Sequence, residues 1–495
     1  MVVAVKNGKA TISAKDSKKT YKCKITVKKN SLSDKALKIK AGESASLTLK
    51  GNTPAEWISS DESIAIVNNG TVTALKKGTA NITAKVGSKK YTCKVTVAAN
   101  TDVTDEPVEL TLWTIQSGEG LSDAYVRAID DLKKAYPNVT LKYETFDQEY
   151  YKDKIRLSAA AGDLPDIFFT WSGAFLGEFA DLGVAYCLDD VMAKYIKSGD
   201  ITQVMLDNTT YEGKHYGIPM GMNMAVLFAN TDLLKQVGVN AVPKTLEELY
   251  DCCDKLLEKG ITPFGCGNEG WCISEYVESI IEKNIGAKAL NEIFSGKGSF
   301  DNKGMAEAID IFKEMLDKGY FGKRRDMGNG EVSERFMAGE YAFYLNGTWN
   351  CGWLSSNPEF ASKVTVSEFP VINSKKSQLG EFIGGPSDSL AVSGFSKKAG
   401  VAAEYAVTLG KLVSKYSYLQ GSGLPTWKIG YDDSEVNALT KQVSKICTSA
   451  KGFVLFGDTA MPSYEKDPYL DCLIKVFNGD MDGKAFTKEL ASSIR

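Results

Sequence analysis

The stretch VELTLW (108–113) alternates apolar and polar residues with a period of two, the pattern of a strand that is buried on one face. The chain beyond it switches between the two regular spacings: helical over 122–136, the strand VTLKYETF (139–146), helical over 149–161, and the apolar strand DIFFTW (166–171). Because strands and helices alternate, this segment predicts βαβ units, a mainly parallel sheet and right-handed crossovers.

The same alternation continues toward the C-terminus. One helix is expected to begin at a capping box formed by Thr245 and Glu248 and to end near Gly260, and another is expected over 304–318. The α/β part, residues 108–495, is longer than the chain that one ordinary hydrophobic core serves. We therefore expect it to form two lobes.

The N-terminal part contains an internal repeat. When residues 1–27 are laid over 71–97 at a fixed offset of 70, 14 of the 27 positions are identical. In the second copy, apolar and polar residues alternate on both sides of Gly87-Ser88, which predicts a β-hairpin. Each repeat is therefore expected to be a small all-β domain, with Trp57 as the centre of the core in the complete copy.

The second copy resembles the group 2 bacterial immunoglobulin-like domain over about 34–98. It contains Trp57-Ile58-Ser59-Ser60-Asp61 and then a G-x-V-x-A segment and a G-x-A-x-I segment that ends at Ile82. The resemblance implies a stalk or spacer at the cell surface. Because the first copy holds only the last strands of such a domain, we expect the sequence to begin inside a domain, with any export signal upstream.

These features predict a multidomain chain in which all-β immunoglobulin-like repeats precede a two-lobed α/β domain similar to periplasmic binding proteins. A linker is expected at AANTDVTDEP (98–107), which is small, polar and ends in proline. The predicted boundaries are a partial repeat over 1–29, a complete immunoglobulin-like domain over 30–98, the linker over 99–107 and the two-lobed domain over 108–495.

Charge is distributed unevenly along the chain. Residues 1–40 contain twelve lysines, two aspartates and no arginine, whereas the formal net charge of the whole chain is −3. Lysines at alternating positions of short strands form a solvated sheet face that discourages edge pairing, and they would also suit cell-wall polyanions as a partner. Because arginine is absent from this segment, we expect no nucleic acid partner.

Residue content excludes several kinds of catalytic and metal site. His215 is the only histidine, so a histidine-dependent triad or an HExxH metal site cannot be built. The ten cysteines match no zinc pattern, no P-loop motif is present, and GCGNEG (265–270) lacks the context of a dinucleotide fingerprint. We expect no metal and no cofactor. Whether Cys266 and Cys272, which bracket a loop, form a disulfide stays open.

FYLNGTWNCGWL (343–354) places two tryptophans four residues apart, on what is expected to be the first turn of a helix. Two interpretations are open: Trp349 and Trp353 pack into the core, or they form an aromatic platform at the mouth of a cleft. In doubly wound sheets ligands bind beyond the carboxyl ends of strands, and Trp113, Trp171 and Trp349 are expected at such ends. This convergence favours the platform.

Five segments of the α/β part resemble family 1 extracellular solute-binding proteins, the carbohydrate-binding subunits of ABC importers, similar to maltose-binding protein. The resemblance spans about 108–495 and implies two lobes joined by a hinge of crossing strands, with a ligand enclosed between them on closure. The segments are GDLPDIFFTWSGAFLGEFADLG (162–183), YEGKHYGIPMGMNMAVLFANTDLLKQVGV (211–239), VPKTLEELYDCCDKLLEKGITPF (242–264), FMAGEYAFYLNGTW (336–349) and GEFIGGPSDSLAVS (380–393).

The resemblance also implies which residues contact a sugar, whose apolar ring faces stack on aromatic side chains while its hydroxyls hydrogen-bond with polar groups. Trp349 matches the stacking tryptophan of the N-G-x-W segment. For Asp388, a candidate acceptor for sugar hydroxyls, the alternative is capping of a helix or turn, and for Trp353 and Trp427 it is packing away from the ligand. The other candidates are Trp171 at a strand end, Trp271 in a loop before a helix, Asn223 just past the YGIP strand, Asp388 in GGPSDS, Glu119 in the loop after the first strand, Trp353 and Trp427.

The leading interpretation is a receptor that binds a sugar or oligosaccharide and delivers it to the permease subunits of an ABC transporter, with no catalytic residue. Such a protein is expected outside the cell, held at the membrane through a signal or lipid anchor upstream of Met1. Two alternatives stay open: a carbohydrate-active enzyme that uses two cleft carboxylates, and an adhesin whose immunoglobulin-like repeats bind while the α/β part is passive. The sequence does not identify the sugar.

Overall fold

A computed structural model describes residues 8–16, 19–27, 30–40, 44–50, 54–62, 64–74, 78–98, 107–116 and 120–494. The chain divides into two compact units, a smaller one formed mainly by the N-terminal part and a larger one formed by most of the remainder. The first unit is Met1–Glu109, Ile129–Thr140 and Ile429–Asp433, and the second is Leu110–Ala128, Leu141–Lys428 and Ser434–Arg495.

The N-terminal strands form small sheets, as alternating sequences of short period-two strands predict. The sheet orders are β4-β11-β10-β7, β5-β9-β8, β3-β6 and β1-β2, where β11 runs parallel to β4 and antiparallel to β10. In chain order the strands are β1 (Gly8–Lys15), β2 (Thr20–Val27), β3 (Ser31–Leu32), β4 (Ala36–Lys40), β5 (Ser44–Ser46), β6 (Leu49–Lys50), β7 (Glu56–Ser59), β8 (Ala65–Asn68), β9 (Thr71–Ala74), β10 (Gly78–Val86) and β11 (Lys89–Ala98).

The core of the first unit is formed by aliphatic side chains of β4, β8, β9, β10 and β11, among them Val72, Ile82 and Val95. Trp57, expected at the centre of this core, is only partly buried and packs against its margin. The side chains of facing strands fill the centre, so the indole lies beside Gly70, where an added Cβ would approach the ring to 3.1 Å. The prediction for Trp57 was therefore wrong in position.

The predicted hairpin is present: β10 and β11 pair antiparallel across the Gly-Ser turn, with Ile82 opposite Cys93. β1 and β2 pair in the same register seventy residues earlier, with Ile12 opposite Cys23. The surroundings of the two hairpins differ, because Ile82 and Cys93 are fully buried whereas Ile12 is 38% exposed and Cys23 is exposed. The two copies of the sequence repeat thus form the same hairpin, but only the second hairpin is buried in a core.

Beyond residue 107, strands and helices alternate as predicted over 108–171, whereas further along the chain several helices or strands follow one another. The strands are β12 (Val108–Ile115), β13 (Val139–Phe146), β14 (Ile167–Trp171), β15 (Thr210–Tyr211), β16 (Lys214–His215), β17 (Ile218–Asn230), β18 (Thr262–Gly265), β19 (Tyr341–Gly347), β20 (Val364–Ser367), β21 (Glu381–Val392) and β22 (Gly452–Val454). The helices are α1 (Asp123–Ala135), α2 (Gln148–Ala161), α3 (Ala174–Asp181), α4 (Asp189–Ser198), α5 (Gln203–Leu206), α6 (Thr231–Gln236), α7 (Leu246–Glu258), α8 (Gly270–Ile285), α9 (Ala287–Phe294), α10 (Lys303–Asp317), α11 (Asn329–Met337), α12 (Asn350–Ser355), α13 (Pro358–Ala361), α14 (Ala399–Gln420), α15 (Ala438–Thr448), α16 (Gly457–Ala460), α17 (Ser463–Asn478) and α18 (Gly483–Ser493).

The helices predicted from apolar spacing are confirmed to within one residue at each end, as α1, α2 and α10. α7 also begins where the capping box predicted, because the Thr245 hydroxyl accepts a hydrogen bond from the Glu248 backbone N–H. The return bond differs from the expected one: the Glu248 carboxylate accepts from the backbone N–H of Lys244 instead of that of Thr245. The box is therefore one residue longer than the motif.

The prediction of a mainly parallel sheet was wrong. The large sheet has the order β13-β12-β14-β21-β17-β19-β18, with β20 beside β17 and β22 beside β21. β12 with β14 and β18 with β19 pair in parallel, as βαβ units require, and β21 also pairs in parallel with the short β22. β21 pairs antiparallel with both β14 and β17, and β17 pairs antiparallel with β19. The two long strands at the middle of the sheet therefore run opposite to these neighbours.

β17 and β21 join the two ends of the large sheet. The first part of β17 pairs with β21, and its second part, from Ala225, pairs with β19 and β20. All 13 residues of β17 are buried, which explains why its sequence, IPMGMNMAVLFAN, is mostly apolar instead of alternating, with Asn223 and Asn230 as its buried polar residues. Asn223 therefore lies inside a continuous strand, and not just past one as the sequence suggested.

A buried ionic cluster lies at the C-terminal end of α8. Lys283 is 2% exposed, and its ammonium lies 3.1 Å from the carboxylate of Glu282 and 3.3 Å from that of Glu368. It also donates hydrogen bonds to the backbone carbonyls of Gln378 at 3.2 Å and Glu381 at 2.6 Å. Burial raises the pKa of Glu282 to about 8, which the neighbouring Lys283 opposes. Charges at this depth require such partners.

Candidate functional site

A cavity of about 370 Å³ lies in the second unit, where β14, β17 and β21 meet the first turns of α8, α11 and α16. Its wall contains Trp171, Asn223, Trp271, Trp349 and Asp388, which were candidates from the sequence. These residues come from separate strands and helices and are far apart in the chain. Only the tertiary fold brings them around one space.

Aromatic rings that contact each other form part of this wall. The ring centroids of Trp271 and Trp349 are 6.1 Å apart at an interplanar angle of 66°, and those of Trp349 and Phe456 are 5.9 Å apart at 50°. Trp271 lies in the first turn of α8, although the sequence placed it in a loop, and Trp349 immediately precedes α12. Because each ring packs on another, the aromatic surface is largely fixed before any ligand binds.

Trp171 is held at the end of β14 by neighbouring rings. It is 8% exposed and makes edge-to-face contacts with Phe169 at 4.8 Å and Phe175 at 5.1 Å between centroids. The ammonium of Lys152 lies 5.2 Å from the centre of the indole, within the range of a cation–π contact. These contacts fix the indole in one orientation at the cavity wall.

Gly347 explains how the indole of Trp349 reaches its position. The ring folds back over the backbone of Gly347, and a Cβ added there would collide with the six-membered ring of Trp349. Any side chain at 347 would therefore displace the indole. The glycine of the N-G-x-W segment is required by this close approach, since β19 itself tolerates side chains at its other positions.

Replacing Gly347 by alanine is expected to lower the free energy of unfolding by about 1–3 kcal/mol, the usual cost of inserting a methyl group into a packed site. The matched control is Gly400→Ala, because an added Cβ at Gly400 meets no atom within 4 Å. Chemical denaturation measures both effects, and near-ultraviolet circular dichroism reports a change in the surroundings of Trp349. Equal stability of the two variants would contradict the overlap.

Asn223 and Asp388 are joined across β17 and β21. The Asn223 amide N–H donates to the Asp388 carboxylate at 3.3 Å, and the Asn223 amide oxygen accepts from the Thr348 hydroxyl at 2.9 Å. Burial raises the pKa of Asp388 to about 6, while hydrogen bonds from Ser387 and Asn223 oppose that rise. The two side chains thus present a preoriented amide and carboxyl to the cavity.

The remaining candidates are not among the residues that line the cavity. Trp353 lies on α12 and is 40% exposed. Trp427 is 4% exposed and packs edge-to-face on Tyr195 at 5.5 Å, while its indole N–H donates to the backbone carbonyl of residue 219. The indole N–H of Trp113, on β12, donates a hydrogen bond to the carboxylate of Glu144. Glu119 lies outside the described residues.

The cavity wall also contains polar side chains that the sequence analysis did not identify. Most of them lie near the N-terminal ends of helices, at Gln148, Ser274, Glu275, Asn329, Asp458 and Thr459. The other two are Ser387 on β21 and Ser422 just after α14. A signal was present in the segment GCGNEG, which leads from β18 into α8. A polar residue at a helix start that follows a strand is nevertheless common, so this signal is weak on its own.

Asn329 is held in place by a network behind the wall. Its side-chain oxygen accepts hydrogen bonds from the hydroxyl of Tyr344 at 2.7 Å and the amide of Asn346 at 2.9 Å. Its backbone N–H donates to the carboxylate of Glu269 at 2.9 Å. The network fixes the orientation of the amide, since the oxygen is already used by the protein.

The ionisable groups at the cavity wall are all acids. Among the described residues that line the cavity, Glu275, Asp388 and Asp458 carry carboxyl groups, and there is no lysine, arginine or histidine. Burial raises the pKa of Asp458, although Lys152 and Lys466 nearby oppose it. Aromatic faces beside hydrogen-bonding groups suit a ligand with both apolar faces and hydroxyls, and the carboxyl groups disfavour an anion.

Some other kinds of site are missing from the part of the chain that the structure describes. No group of three or more histidine, cysteine, aspartate or glutamate side chains there is arranged to hold a metal ion. All ten cysteines are free, so Cys266 and Cys272 form no disulfide in this structure. Within the same residues, no helix combines the length and apolarity needed to cross a bilayer.

Comparison with known proteins gives matches to two family models. Residues 127–426 match the model described as bacterial extracellular solute-binding protein, which covers more than half of the chain. Residues 60–99 match the model of the bacterial Ig-like domain. The five candidates at the cavity wall all lie within the first match.

Individual relatives agree with this match. The chain is 26% identical over 195 residues to a putative binding protein of Brucella abortus (strain 2308), which is 38% of this chain and 46% of the relative. It is 26% identical over 294 residues to the galactooligosaccharide-binding protein of Bacillus subtilis (strain 168), which is 58% of this chain and 67% of the relative. The chain thus spans about half the length of the first curated relatives it matches.

A solved structure is similar over most of the chain. It comes from work on xylan utilisation by the thermophilic bacterium Caldanaerobius polysaccharolyticus, and it is 30% identical with a TM-score of 0.73 over 78% of this chain and 100% of that chain. The two-lobed α/β fold predicted from the sequence is confirmed by this likeness.

Proposed function

Because the chain belongs to the family of bacterial extracellular solute-binding proteins, we propose that it is the substrate-binding protein of an ABC transporter. It binds a sugar or oligosaccharide in the cavity of the second unit and delivers this ligand to a membrane permease. The protein carries out no reaction on the ligand. The solute-binding family and the oligosaccharide named for the Bacillus subtilis relative support this function.

One observation carries the proposal: Trp171, Trp271 and Trp349 line the same cavity as Asn223 and Asp388. Indole faces take up the apolar faces of sugar rings, and an amide beside a carboxyl supplies donors and acceptors for hydroxyls. The acidic wall is consistent with an uncharged ligand. We therefore assign these five residues to ligand binding, and not Trp353 or Trp427.

We also propose that the N-terminal immunoglobulin-like repeats, over 1–29 and 30–98, hold the two-lobed domain of 108–495 away from the cell surface. The match of residues 60–99 to the bacterial Ig-like model and the common hairpin register of the two copies support this role. Residues 99–107 act as the linker. Membrane anchorage, and contact of the lysine-rich strands with cell-wall polyanions, belong to the same proposal.

The function is tested by a thermal-shift screen followed by titration calorimetry on the whole chain. The ligands are xylo-, arabino-, galacto- and malto-oligosaccharides of two to four rings. We expect at least one series to raise the melting temperature, because a ligand that binds only the folded state stabilises it. Sorbitol at equal concentration controls for a general osmolyte effect. Failure of every oligosaccharide to bind would overturn the proposal.

A carbohydrate-active enzyme is a second candidate, favoured by the three carboxyl groups of Glu275, Asp388 and Asp458 at one cavity. Glycoside hydrolysis requires a pair of carboxyl groups, one acting as the acid. Incubation with the same oligosaccharides distinguishes the two functions, because an enzyme releases new reducing ends while a binding protein returns its ligand intact. The binding function predicts no new reducing ends.

A further inference from the structure

Three glutamates of α8, Glu275, Glu278 and Glu282, are all buried, but their carboxyl groups have different surroundings. Glu278 accepts hydrogen bonds from the backbone N–H of Gly457 at 3.1 Å and from the hydroxyl of Tyr469 at 3.2 Å. Glu282 accepts from a serine hydroxyl at 2.9 Å and lies beside the ammonium of Lys283. Protein groups therefore satisfy two of the three carboxyls.

Glu275 is the exception. It is 2% exposed, and neither of its carboxyl oxygens has a hydrogen-bond partner among the residues that the structure describes. It lines the cavity with Trp271, Asp388 and Asp458. A buried polar group that lacks protein partners at a cavity wall is available to a ligand.

The charge state of Glu275 follows from this geometry. A carboxylate buried without a donor or a cation is so unfavourable that the group instead takes up a proton. Burial, together with the neighbouring Glu278 and Asp458, raises the pKa of Glu275 well above its usual value. Among the described residues, the ionisable groups that interact with it are acids, thiols or phenols, and none is basic: Glu278, Asp458, Cys266, Cys272, Tyr276 and Tyr344.

We propose that Glu275 binds the ligand as a neutral carboxylic acid, which donates one hydrogen bond and accepts another in the cavity. An ionised carboxylate only accepts hydrogen bonds, whereas the neutral acid can donate to a ring or hydroxyl oxygen and accept from a second hydroxyl. Glu275 is thereby a specificity-determining residue for a ligand with oxygen atoms at adjacent positions. This inference rests on the proposed function, because it names how the same cavity selects its sugar.

Two substitutions separate the neutral acid from the carboxylate. Glu275→Gln keeps one donor and one acceptor in the same shape, and Glu275→Ala removes both. In calorimetry with xylotriose, arabinotriose and galactotriose at about pH 6.5, we expect the Gln variant to bind within about threefold of the unmodified chain. The Ala variant should bind at least about 30-fold more weakly, because ligand groups that paired with Glu275 stay desolvated and unpaired.

The pH dependence gives an independent measurement. As the pH rises, the unmodified chain loses the Glu275 proton and with it the donor, whereas the Gln variant has no proton to lose there. The affinity of the unmodified chain divided by that of the Gln variant should therefore fall as the pH is raised above neutral. Titration of Asp388 and Asp458 affects both proteins and largely cancels in this ratio.

Glu278→Gln is the matched control, since it removes an equally buried carboxyl of the same helix that protein groups already satisfy. The affinity of the Glu278→Gln variant should still fall with rising pH, as that of the unmodified chain does. The inference is overturned if Glu275→Gln binds as weakly as Glu275→Ala, or if Glu275→Ala binds as tightly as the unmodified chain. Either result leaves the proposed function in place. If the unmodified chain binds none of the three trisaccharides nor any other oligosaccharide of the screen, the proposed function fails, and this inference fails with it.

Discussion

Replacing Trp349 by alanine is expected to weaken oligosaccharide binding by about 1–3 kcal/mol, roughly a 5- to 150-fold rise in Kd. The indole lines the cavity and packs against Trp271 and Phe456. Its loss removes the stacking face and also frees the neighbouring rings to move. Titration calorimetry of the variant and the unmodified chain, with an oligosaccharide found in the screen, measures the difference.

Trp353→Ala is the matched control for this prediction. Trp353 is the same kind of residue, four positions further along the chain, but it is 40% exposed and does not line the cavity. Its removal is expected to change Kd by no more than about twofold, as for surface substitutions in general. Equal losses in both variants would assign the effect to α12, and an unchanged Kd in Trp349→Ala would return that ring to a packing role.

Replacing Lys283 by methionine is expected to lower the free energy of unfolding by about 3–5 kcal/mol, the usual cost of breaking a buried ion pair. The substitution leaves the carboxylates of Glu282 and Glu368 without their shared cation, and two backbone carbonyls lose their donor. Lys283 opposes the rise of the Glu282 pKa to about 8 that burial causes, so without this lysine the pKa rises further and Glu282 stays neutral, which limits the cost. Denaturant-induced unfolding at neutral pH is the measurement.

Lys288→Met is the control for the loss of a lysine, because Lys288 lies on α9, only five residues after Lys283. Lys288 lies 3.7 Å from Glu292, and its side chain is 92% exposed, so solvent screens the pair. Its removal is expected to change the stability by less than about 0.5 kcal/mol. If Lys283→Met were as mild, the buried cluster would contribute to the shape of this region and not to its stability.

Features that depend on neighbouring residues were predictable from the sequence. The helices α1, α2 and α10 follow from apolar spacing, α7 from its capping residues, and the hairpin of β10 and β11 from alternation around a Gly-Ser turn. Each of these signals lies within about 20 residues and reports which face of one element is apolar. Such signals do not report the direction of strand pairing, so β17 and β21 were not recognised as antiparallel strands shared across the sheet.

The candidate site was only partly predictable. Tryptophans at strand ends pointed to Trp171 and Trp349, but the same reasoning applied to Trp113, whose indole pairs with Glu144 instead. Trp427 looks equivalent in sequence, and yet it is enclosed against Tyr195. Chemical type and local position are similar for all of these residues, so they cannot separate a ring at a cavity from a ring in a core.

By itself the sequence determined the order of the elements, the repeat at the N-terminus and the aromatic and amide side chains available for a sugar. The tertiary structure decided which of them meet around one cavity. It also decided that Glu275 lines this cavity without a hydrogen-bond partner among the described residues, whereas Glu278 is hydrogen-bonded by protein groups. The reason is physical: local patterns follow from the geometry of a single helix or strand. Convergence and hydrogen-bond satisfaction depend on packing between residues far apart in the chain.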